Sequence, residues 1–230
     1  MSIHDGHRQR LKARFLEEGL DGFTQIQALE LLLFYCISRK DTNPIAHALM
    51  ERFGSFSQVL EAPVEELCKV PGISHNTAVF LHINREMGRF YLVDRTRKHT
   101  VLNTLEDCAS YMVPRFHGRS VEMVFLLCLD AKCKVICCKE VGEGSVNSAG
   151  ISVRKILETA LNANATTVVL AHNHPSGLAI PSEEDVQTTR RLGAALQAVE
   201  IHLADHIIVA DDDYVSMAQS GQRFLDCFVT

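Results

Sequence analysis

The sequence has no long hydrophobic run. Among its 230 residues, the apolar stretch near the middle is MVFLLCL at 123–129, which is far shorter than the roughly 20 residues that a membrane-spanning helix needs. The first ten residues, MSIHDGHRQR, are polar and lack the apolar segment of a secretion signal. With 47% hydrophobic and 22% charged residues, a packed core is expected. We therefore expect a cytoplasmic protein that does not enter a membrane.

The sequence also lacks a Cys-x-x-Cys pair, although it contains eight cysteines. This absence disfavours zinc ribbons and thioredoxin-like redox sites. Cys128 and Cys137 lie in apolar, strand-like stretches, where a free cysteine behaves as a small buried hydrophobic residue. Buried free thiols in a reducing compartment are therefore predicted.

Neither half of the chain carries an excess of positive charge. Residues 1–97 contain 12 Lys or Arg and 12 Asp or Glu, whereas residues 98–230 contain 11 and 16, so the formal charge of −5 belongs to the second half. Because phosphate binding depends on Lys and Arg, the acidic second half is not expected to bind nucleic acid broadly.

Two features of the first half allow contact with DNA. The segment VPGIS at 70–74 resembles the turn of a helix-hairpin-helix motif, but Ser74 replaces the second glycine and can instead cap the following helix. A basic run recurs at a spacing of two, which winds it around a helix rather than along one stripe: Arg8, Arg10, Lys12 and Arg14. A solvated helix face and a DNA contact both remain open.

The two halves differ in their hydrophobic periodicity. Residues 1–97 have apolar residues at helical spacing and no strand-like alternation. Helices are predicted over residues 7–19, 24–37, 41–54, 55–62, 63–70 and 71–93. The polar stretch DRTRKHTVLN at 94–103 is the predicted linker. We therefore predict a helical domain over residues 1–97 and a second domain over residues 98–230.

The second half mixes strands and helices. Short Val- and Ile-rich runs bounded by turn residues predict strands over residues 120–130, 134–142, 166–172 and 201–210. Helices are predicted over residues 104–116, 152–164 and 182–198. The glycine-containing segment 141–150 lacks the GK[ST] of a phosphate loop and is predicted to connect a strand to a helix. ADDDYVS at 210–216 is predicted to be a solvated turn. The expected fold class is an all-helical N-terminal domain followed by a mixed α/β domain.

The segment HNHPSGLAIPSEED at 172–185 carries the candidate chemistry. His172 and His174 end a predicted buried strand, where residues two apart point to the same face. Asp185 follows in the first turn of the next predicted helix, and two histidines with one carboxylate suit zinc with one position open for water. A capping box formed by Ser182 and Asp185 explains the same residues without a metal.

A hydrolytic metal site also needs a proton acceptor. Three glutamates stand on or near the predicted strands: Glu122 before MVFLLCL, Glu140 near a strand end and Glu143 in the glycine-containing loop. A carboxylate in such a position can take a proton from an attacking water. Their spacing alone does not choose among the three.

The spacing of His172, His174, Ser182 and Asp185 resembles the JAMM signature H-x-H-x(7)-S-x(2)-D of the MPN/JAB fold. More narrowly, HNHPSG, the later DHIIV and the N-terminal GHRQRLKARF and LELLLFY resemble the RadC family over nearly the whole chain. The resemblance implies a mixed sheet flanked by helices, similar to that of cytidine deaminases. It further implies zinc held by the two histidines and Asp185, with Ser182 stabilising the oxyanion and Glu122 acting as general acid/base.

The function that the resemblance implies is a zinc metallopeptidase that cleaves peptide or isopeptide bonds in a protein or peptide substrate by glutamate-assisted attack of a zinc-bound water. Base deamination is disfavoured, because zinc deaminases need H-x-E and P-C-x-x-C and the sequence has neither. The alternative is a DNA-associated accessory protein in repair or recombination, with DNA bound by the helical domain. Asp205 and His206 are interpreted as a polar strand edge in preference to a pair behind the metal site.

Overall fold

The computed structural model describes residues 3–38, 40–96, 101–144 and 152–220. The chain forms two compact units, Met1–Gly88 and Arg89–Thr230. The sixth helix crosses this division and ends at Thr96, so the predicted linker begins with helical residues. Residues 97–100 of that linker and residues 145–150 of the predicted strand-to-helix connection lie outside the described residues. The predicted domain boundary at residue 97 stays a prediction.

The first unit is helical, as predicted. Its helices are α1 (Ile3–Glu18), α2 (Gln25–Leu33), α3 (Asn43–Phe53), α4 (Phe56–Glu61), α5 (Val64–Leu67) and α6 (His75–Thr96), the last of which continues into the second unit. Local sequence signals set their ends. Thr24 begins α2 with a complete capping box, and Gly54 ends α3 at a φ of 89°.

The core of the first unit combines aliphatic side chains of several helices. Leu29, Leu49 and Leu81 are fully buried in it. Apolar residues at helical spacing are not all buried, because Leu16 is 83% exposed and Met87 is 59% exposed. Helical spacing thus does not by itself decide which apolar side chains enter the core.

The described part of the second unit is a five-stranded sheet with helices on both faces. Its elements are α7 (Leu105–Met112), a 3-10 helix (Val113–Arg115), β1 (Met123–Leu129), β2 (Val135–Glu143), α8 (Val153–Asn162), β3 (Thr167–Asn173), α9 (Glu183–Gln197), β4 (His202–Ala210) and β5 (Asp213–Ser216). The strand order is β2-β1-β3-β4-β5. β3 and β4 are parallel, and the other neighbours are antiparallel. The predicted fold class is confirmed.

Alternating side chains of the central strands divide the core in two. Leu126 and Leu170 pack on one face with Leu192 of α9. Phe125 and Val169 pack on the other face with residues of α7. Both faces of these strands are buried, which explains why their sequences are continuous apolar runs rather than alternating ones.

One strand was missed by the sequence prediction. The predicted turn ADDDYVS is only partly a turn, because Asp213–Ser216 forms β5, an edge strand on β4. Its sequence carries a strong turn signal and little apolar surface. Hydrogen bonding to β4, rather than intrinsic propensity, therefore makes this segment a strand.

The cysteines of the described residues are free. Cys128 lies opposite Cys137 in the β1–β2 pair, and burial raises the pKa of the Cys128 thiol to about 12. Cys128 is fully buried and Cys137 is half-buried, so the buried-thiol prediction is confirmed for the first. Within the described residues, every helix is too short or too polar to cross a membrane.

Candidate metal centre

The end of β3 carries the two histidines. His172 lies opposite Val124 of β1 and Ile208 of β4, in the middle of the sheet, and its side chain is fully buried. His174 follows the last strand residue, and its backbone N–H donates to the carbonyl of Val209 at 2.7 Å. Because this bond extends the chain along β4, the two rings stand side by side with their centroids 4.8 Å apart.

The first turn of α9 brings Asp185 to the histidines. The capping box is complete: the Asp185 N–H donates to Ser182 Oγ at 3.1 Å, and the Ser182 N–H donates to Asp185 Oδ2 at 2.7 Å. The other carboxylate oxygen, Oδ1, lies 3.2 Å from His172 Nε2. Asp185 therefore caps the helix with Oδ2 and faces His172 with Oδ1, so the two interpretations of this residue are compatible.

Three potential ligand atoms, one each from His172, His174 and Asp185, lie within 4.8 Å of one another. The two Nε2 atoms are 2.9 Å apart, and His174 Nε2 is 3.6 Å from Asp185 Oδ2. His174 Nδ1 lies 3.0 Å from the carbonyl of Leu178, which can only accept, so this nitrogen carries the proton of the neutral ring. The lone pair of His174 Nε2 then faces His172 Nε2 and the carboxylate of Asp185.

The electrostatics of this cluster suit a cation. Burial opposes ionisation of Asp185, but the neighbouring His172 and the hydrogen bonds from Ser182 outweigh it and hold the pKa of Asp185 well below its ordinary range. A buried carboxylate and facing nitrogen lone pairs repel one another unless a positive charge lies between them. The residues present therefore fit a metal ion.

Among the three glutamates, Glu122 lies nearest the histidines in strand register. It immediately precedes β1, two residues before Val124, whose partner is His172, so strand alternation places it on that same face. Its Oε2 atom is buried and has no hydrogen-bond partner among the described residues. Glu140 and Glu143 are exposed on β2, the edge strand, and Glu143 is a strand residue rather than a loop residue.

Asn173 holds the Glu122 segment in place, and sequence reasoning gave it no role. Its Oδ1 accepts the N–H of Met123 at 2.7 Å, and its Nδ2 donates to the carbonyl of Val121 at 3.1 Å. These two bonds tie the residues on either side of Glu122 to the end of β3. The sequence offered one signal for such a role, because Asn173 lies between the candidate ligands His172 and His174.

Ser182 lies at the site, but its hydroxyl is already engaged. Its Oγ donates to Asp185 Oδ2 at 2.6 Å and accepts the Asp185 N–H. The side chain is exposed to solvent. The contacts are those of a helix cap that also orients Asp185, and oxyanion stabilisation by Ser182 stays a prediction.

His206 lies directly behind His172. The interpretation of Asp205 and His206 as a polar strand edge is wrong, because β4 is an interior strand and both side chains are fully buried. His206 Nε2 is 2.8 Å from His172 Nδ1, and His206 Nδ1 is 2.6 Å from Thr189 Oγ1. Burial and the nearby His172 lower the pKa of His206 well below its ordinary value.

In the helical unit, much of the basic run is engaged within the chain. Arg8 lies over the ring of Phe34, and Lys12 lies over Tyr35. Arg14 pairs with Glu18 at 3.1 Å. These contacts favour a structural role for the run, and a DNA contact by this unit stays a prediction.

The segment VPGIS forms a turn between α5 and α6. Gly72 has a φ of 94°, and Ser74 Oγ accepts the N–H of Thr77 at 3.2 Å. Ser74 thus takes the capping role that the sequence left open. The glycine also has a packing reason, because a Cβ at Gly72 would lie 2.8 Å from Ile45 Cδ1. A helix-hairpin-helix role for this turn stays a prediction.

Comparison with known proteins agrees with this architecture. The family model of the RadC-like JAB domain matches residues 102–222. A UPF0758 protein of Fusobacterium nucleatum is 31% identical over 95% of this chain and 97% of its own length. UPF0758 proteins of Nitrosococcus oceani and Ruegeria pomeroyi are 34% and 32% identical, over 95% and 94% of this chain and 96% of each relative. The chain therefore belongs to the RadC family, and its second unit has the JAMM-type metallohydrolase fold.

Proposed function

We propose that this protein is a zinc-dependent metallopeptidase that cleaves peptide or isopeptide bonds in the cytoplasm. The observation that carries the proposal is the convergence of His172, His174 and Asp185 on the sheet face where strand alternation places Glu122, whose Oε2 is buried without a hydrogen-bond partner among the described residues. A structural metal site needs no such glutamate, whereas a hydrolytic site needs a base within reach of the attacking water.

Zinc is the proposed metal because of the donor set. Two imidazole nitrogens with one carboxylate are typical of catalytic zinc, whereas magnesium and calcium prefer sites made of oxygen ligands. When bound, zinc supplies a Lewis acid that polarises a carbonyl and lowers the pKa of a water ligand towards neutrality. The complete capping box and the bond from His174 to Leu178 hold two of the ligands in place beforehand.

In this proposal Glu122 moves the proton. Its carboxylate takes a proton from the water that attacks the scissile carbonyl and delivers that proton to the leaving amine. Asn173 keeps the backbone around Glu122 fixed to β3, so this segment is in place before substrate binds. Ser182 orients Asp185, and its hydroxyl is the proposed donor to the oxyanion once it turns from that carboxylate.

The direct test is Glu122→Gln in zinc-loaded protein, assayed against a library of peptides and isopeptide-linked substrates. We expect kcat/KM to fall by about 10²–10⁴-fold, the usual contribution of a general acid/base. The zinc content should not change, because Glu122 is not a proposed ligand.

Glu140→Gln and Glu143→Gln are the matched controls, since each makes the same chemical change on exposed β2. Both should keep wild-type activity. Equal activity of Glu122→Gln and wild type on every cleaved substrate would remove Glu122 from the mechanism. A zinc-loaded wild-type protein that cleaves nothing in the library would count against the peptidase itself.

A further inference from the structure

Behind the candidate metal site lies a buried chain of polar groups outside the ligand set. It runs from His172 through His206 to Thr189 and ends at the backbone carbonyl of Asp185. We propose that Thr189 and His206 are positioning residues that fix the tautomer of His172, so that its Nε2 lone pair faces the metal. This inference rests on the metal site of the proposed function and assigns that site two further residues.

The direction of the chain is set at Thr189. Its Oγ1 lies 2.6 Å from the backbone carbonyl oxygen of Asp185, and a carbonyl oxygen can only accept. The single hydroxyl proton of Thr189 is therefore committed to that bond. Towards His206, 2.6 Å away, the same oxygen must act as an acceptor.

The proton order of the two imidazoles follows from this commitment. Since Thr189 Oγ1 accepts, His206 Nδ1 carries the proton. In the neutral ring, His206 Nε2 then has only a lone pair and accepts from His172 Nδ1, which is 2.8 Å away. His172 is thus protonated at Nδ1, and its Nε2 is left with the lone pair that a metal needs.

The reversed chain cannot serve the site. If His206 carried its proton on Nε2, it would donate to His172 Nδ1, and His172 would carry its own proton on Nε2. That proton would occupy the ligand position facing Asp185. His172, Thr189 and His206 are fully buried, so water cannot exchange for any bond of the chain at low cost.

The two histidine ligands are oriented by different means. His174 donates directly to the carbonyl of Leu178, whereas His172 lies inside the sheet and reaches its terminal carbonyl only through His206 and Thr189. That terminal carbonyl belongs to Asp185, the third ligand. The chain therefore joins two ligands from different elements, β3 and α9.

The experiment compares Thr189→Val with Thr189→Ser in the full-length protein. Valine has nearly the shape of threonine but cannot accept from His206, whereas serine keeps the hydroxyl. Two-dimensional ¹H–¹⁵N spectra of the imidazole rings, recorded without zinc at mildly alkaline pH, report which nitrogen of His206 carries the proton. Zinc affinity is measured separately by competition with a chromogenic chelator.

We expect wild type and Thr189→Ser to have His206 protonated at Nδ1. Thr189→Val should shift His206 towards the Nε2-protonated form and weaken zinc binding by roughly 10–100-fold, as loss of such an outer partner usually does. His206→Gln should retain most of the affinity, because its amide can accept from His172 and donate to Thr189. His206→Leu should lose most of the zinc affinity.

Wild-type protein with His206 protonated at Nε2 overturns the proposal, whichever variants fold. Equal zinc affinity of Thr189→Val and Thr189→Ser also overturns it. Neither result depends on catalysis. A protein with the expected tautomer and zinc affinity that cleaves no peptide would instead reject the proposed function and leave the positioning role of Thr189 and His206 intact.

Discussion

At the scale of single residues, Asp185 shows how one carboxylate can satisfy two requirements. Oδ2 accepts from Ser182 and completes a helix cap, while Oδ1 faces His172. A helix N-terminus favours a negative charge, so the same position that suits capping also keeps the ligand ionised. The capping box thus supports the metal interpretation, because it holds the carboxylate where the histidines converge.

Asp205 and Asp130 have pKa shifts of opposite sign and predict opposite effects of pH on stability. Burial raises the pKa of Asp205, although hydrogen bonds from Ser216, Ala218 and His206 oppose this shift. The stability that this group contributes is present below its unfolded pKa and is lost as pH rises through its folded pKa. Asp205→Asn should therefore remove part of the stability loss seen as pH rises above the ordinary carboxyl pKa of about 4, as measured by urea unfolding.

Asp130→Asn is the control for this change. Backbone N–H groups of Lys134 and Lys132 lower the pKa of Asp130, so its contribution is present above the unfolded pKa and is lost as pH falls. Removing this carboxylate should reduce the loss of stability as pH falls and leave the loss of stability as pH rises unchanged. Identical pH profiles for the two variants would contradict both assignments.

At the scale of elements, two glycines of the helical unit predict opposite results for the same substitution. Gly72 has a φ of 94°, and an added Cβ would meet Ile45, so Gly72→Ala should destabilise by at least the roughly 1–2 kcal/mol of a left-handed residue. Gly88 lies in α6 with open space around it, and Gly88→Ala should stabilise by about 0.5–1 kcal/mol. Urea unfolding followed by circular dichroism measures both changes.

The sign of each change is the informative result. A stabilising Gly72→Ala would mean that the turn between α5 and α6 relaxes away from Ile45. A destabilising Gly88→Ala would mean that this part of α6 packs against another surface, since an exposed helical glycine has no other reason to be preferred.

At the scale of the whole molecule, the candidate metal site belongs entirely to the second unit. Its ligands lie on β3 and α9, which share a core with β1, whereas the first unit has a core of its own. A metal that binds only the native state stabilises it by about 2.7 kcal/mol at a concentration 100 times its dissociation constant. Hydrogen exchange should therefore slow in β3, α9 and β4 when zinc is added.

The first unit provides the internal control for that measurement. Amides of α2 and α3 should exchange at the same rate with and without zinc, because no candidate ligand lies in their core. Asp185→Asn, which removes the carboxylate charge and keeps the side-chain size, should abolish the protection in the second unit. Equal protection of both units by zinc would contradict a metal effect confined to the second unit.

The sequence alone was enough for the element types and the candidate ligands. Continuous apolar runs predicted β1, β3 and β4, and the spacing of His172, His174 and Asp185 predicted one site, because a strand end and the following helix start are local features. The spacing of the glutamates could not rank Glu122 above Glu140 without the family resemblance, since that order depends on strand pairing between distant segments. The sequence pattern missed β5 for the same reason.

The sequence by itself determined that two histidines and one aspartate meet, because all three lie within one strand–loop–helix unit. Only the tertiary structure decided what stands behind and beside them. His206 reaches His172 through parallel pairing of β3 with β4, and Thr189 reaches His206 because α9 packs over that pair. Such neighbours are set by packing across the sheet, so no residue spacing in the sequence indicates them.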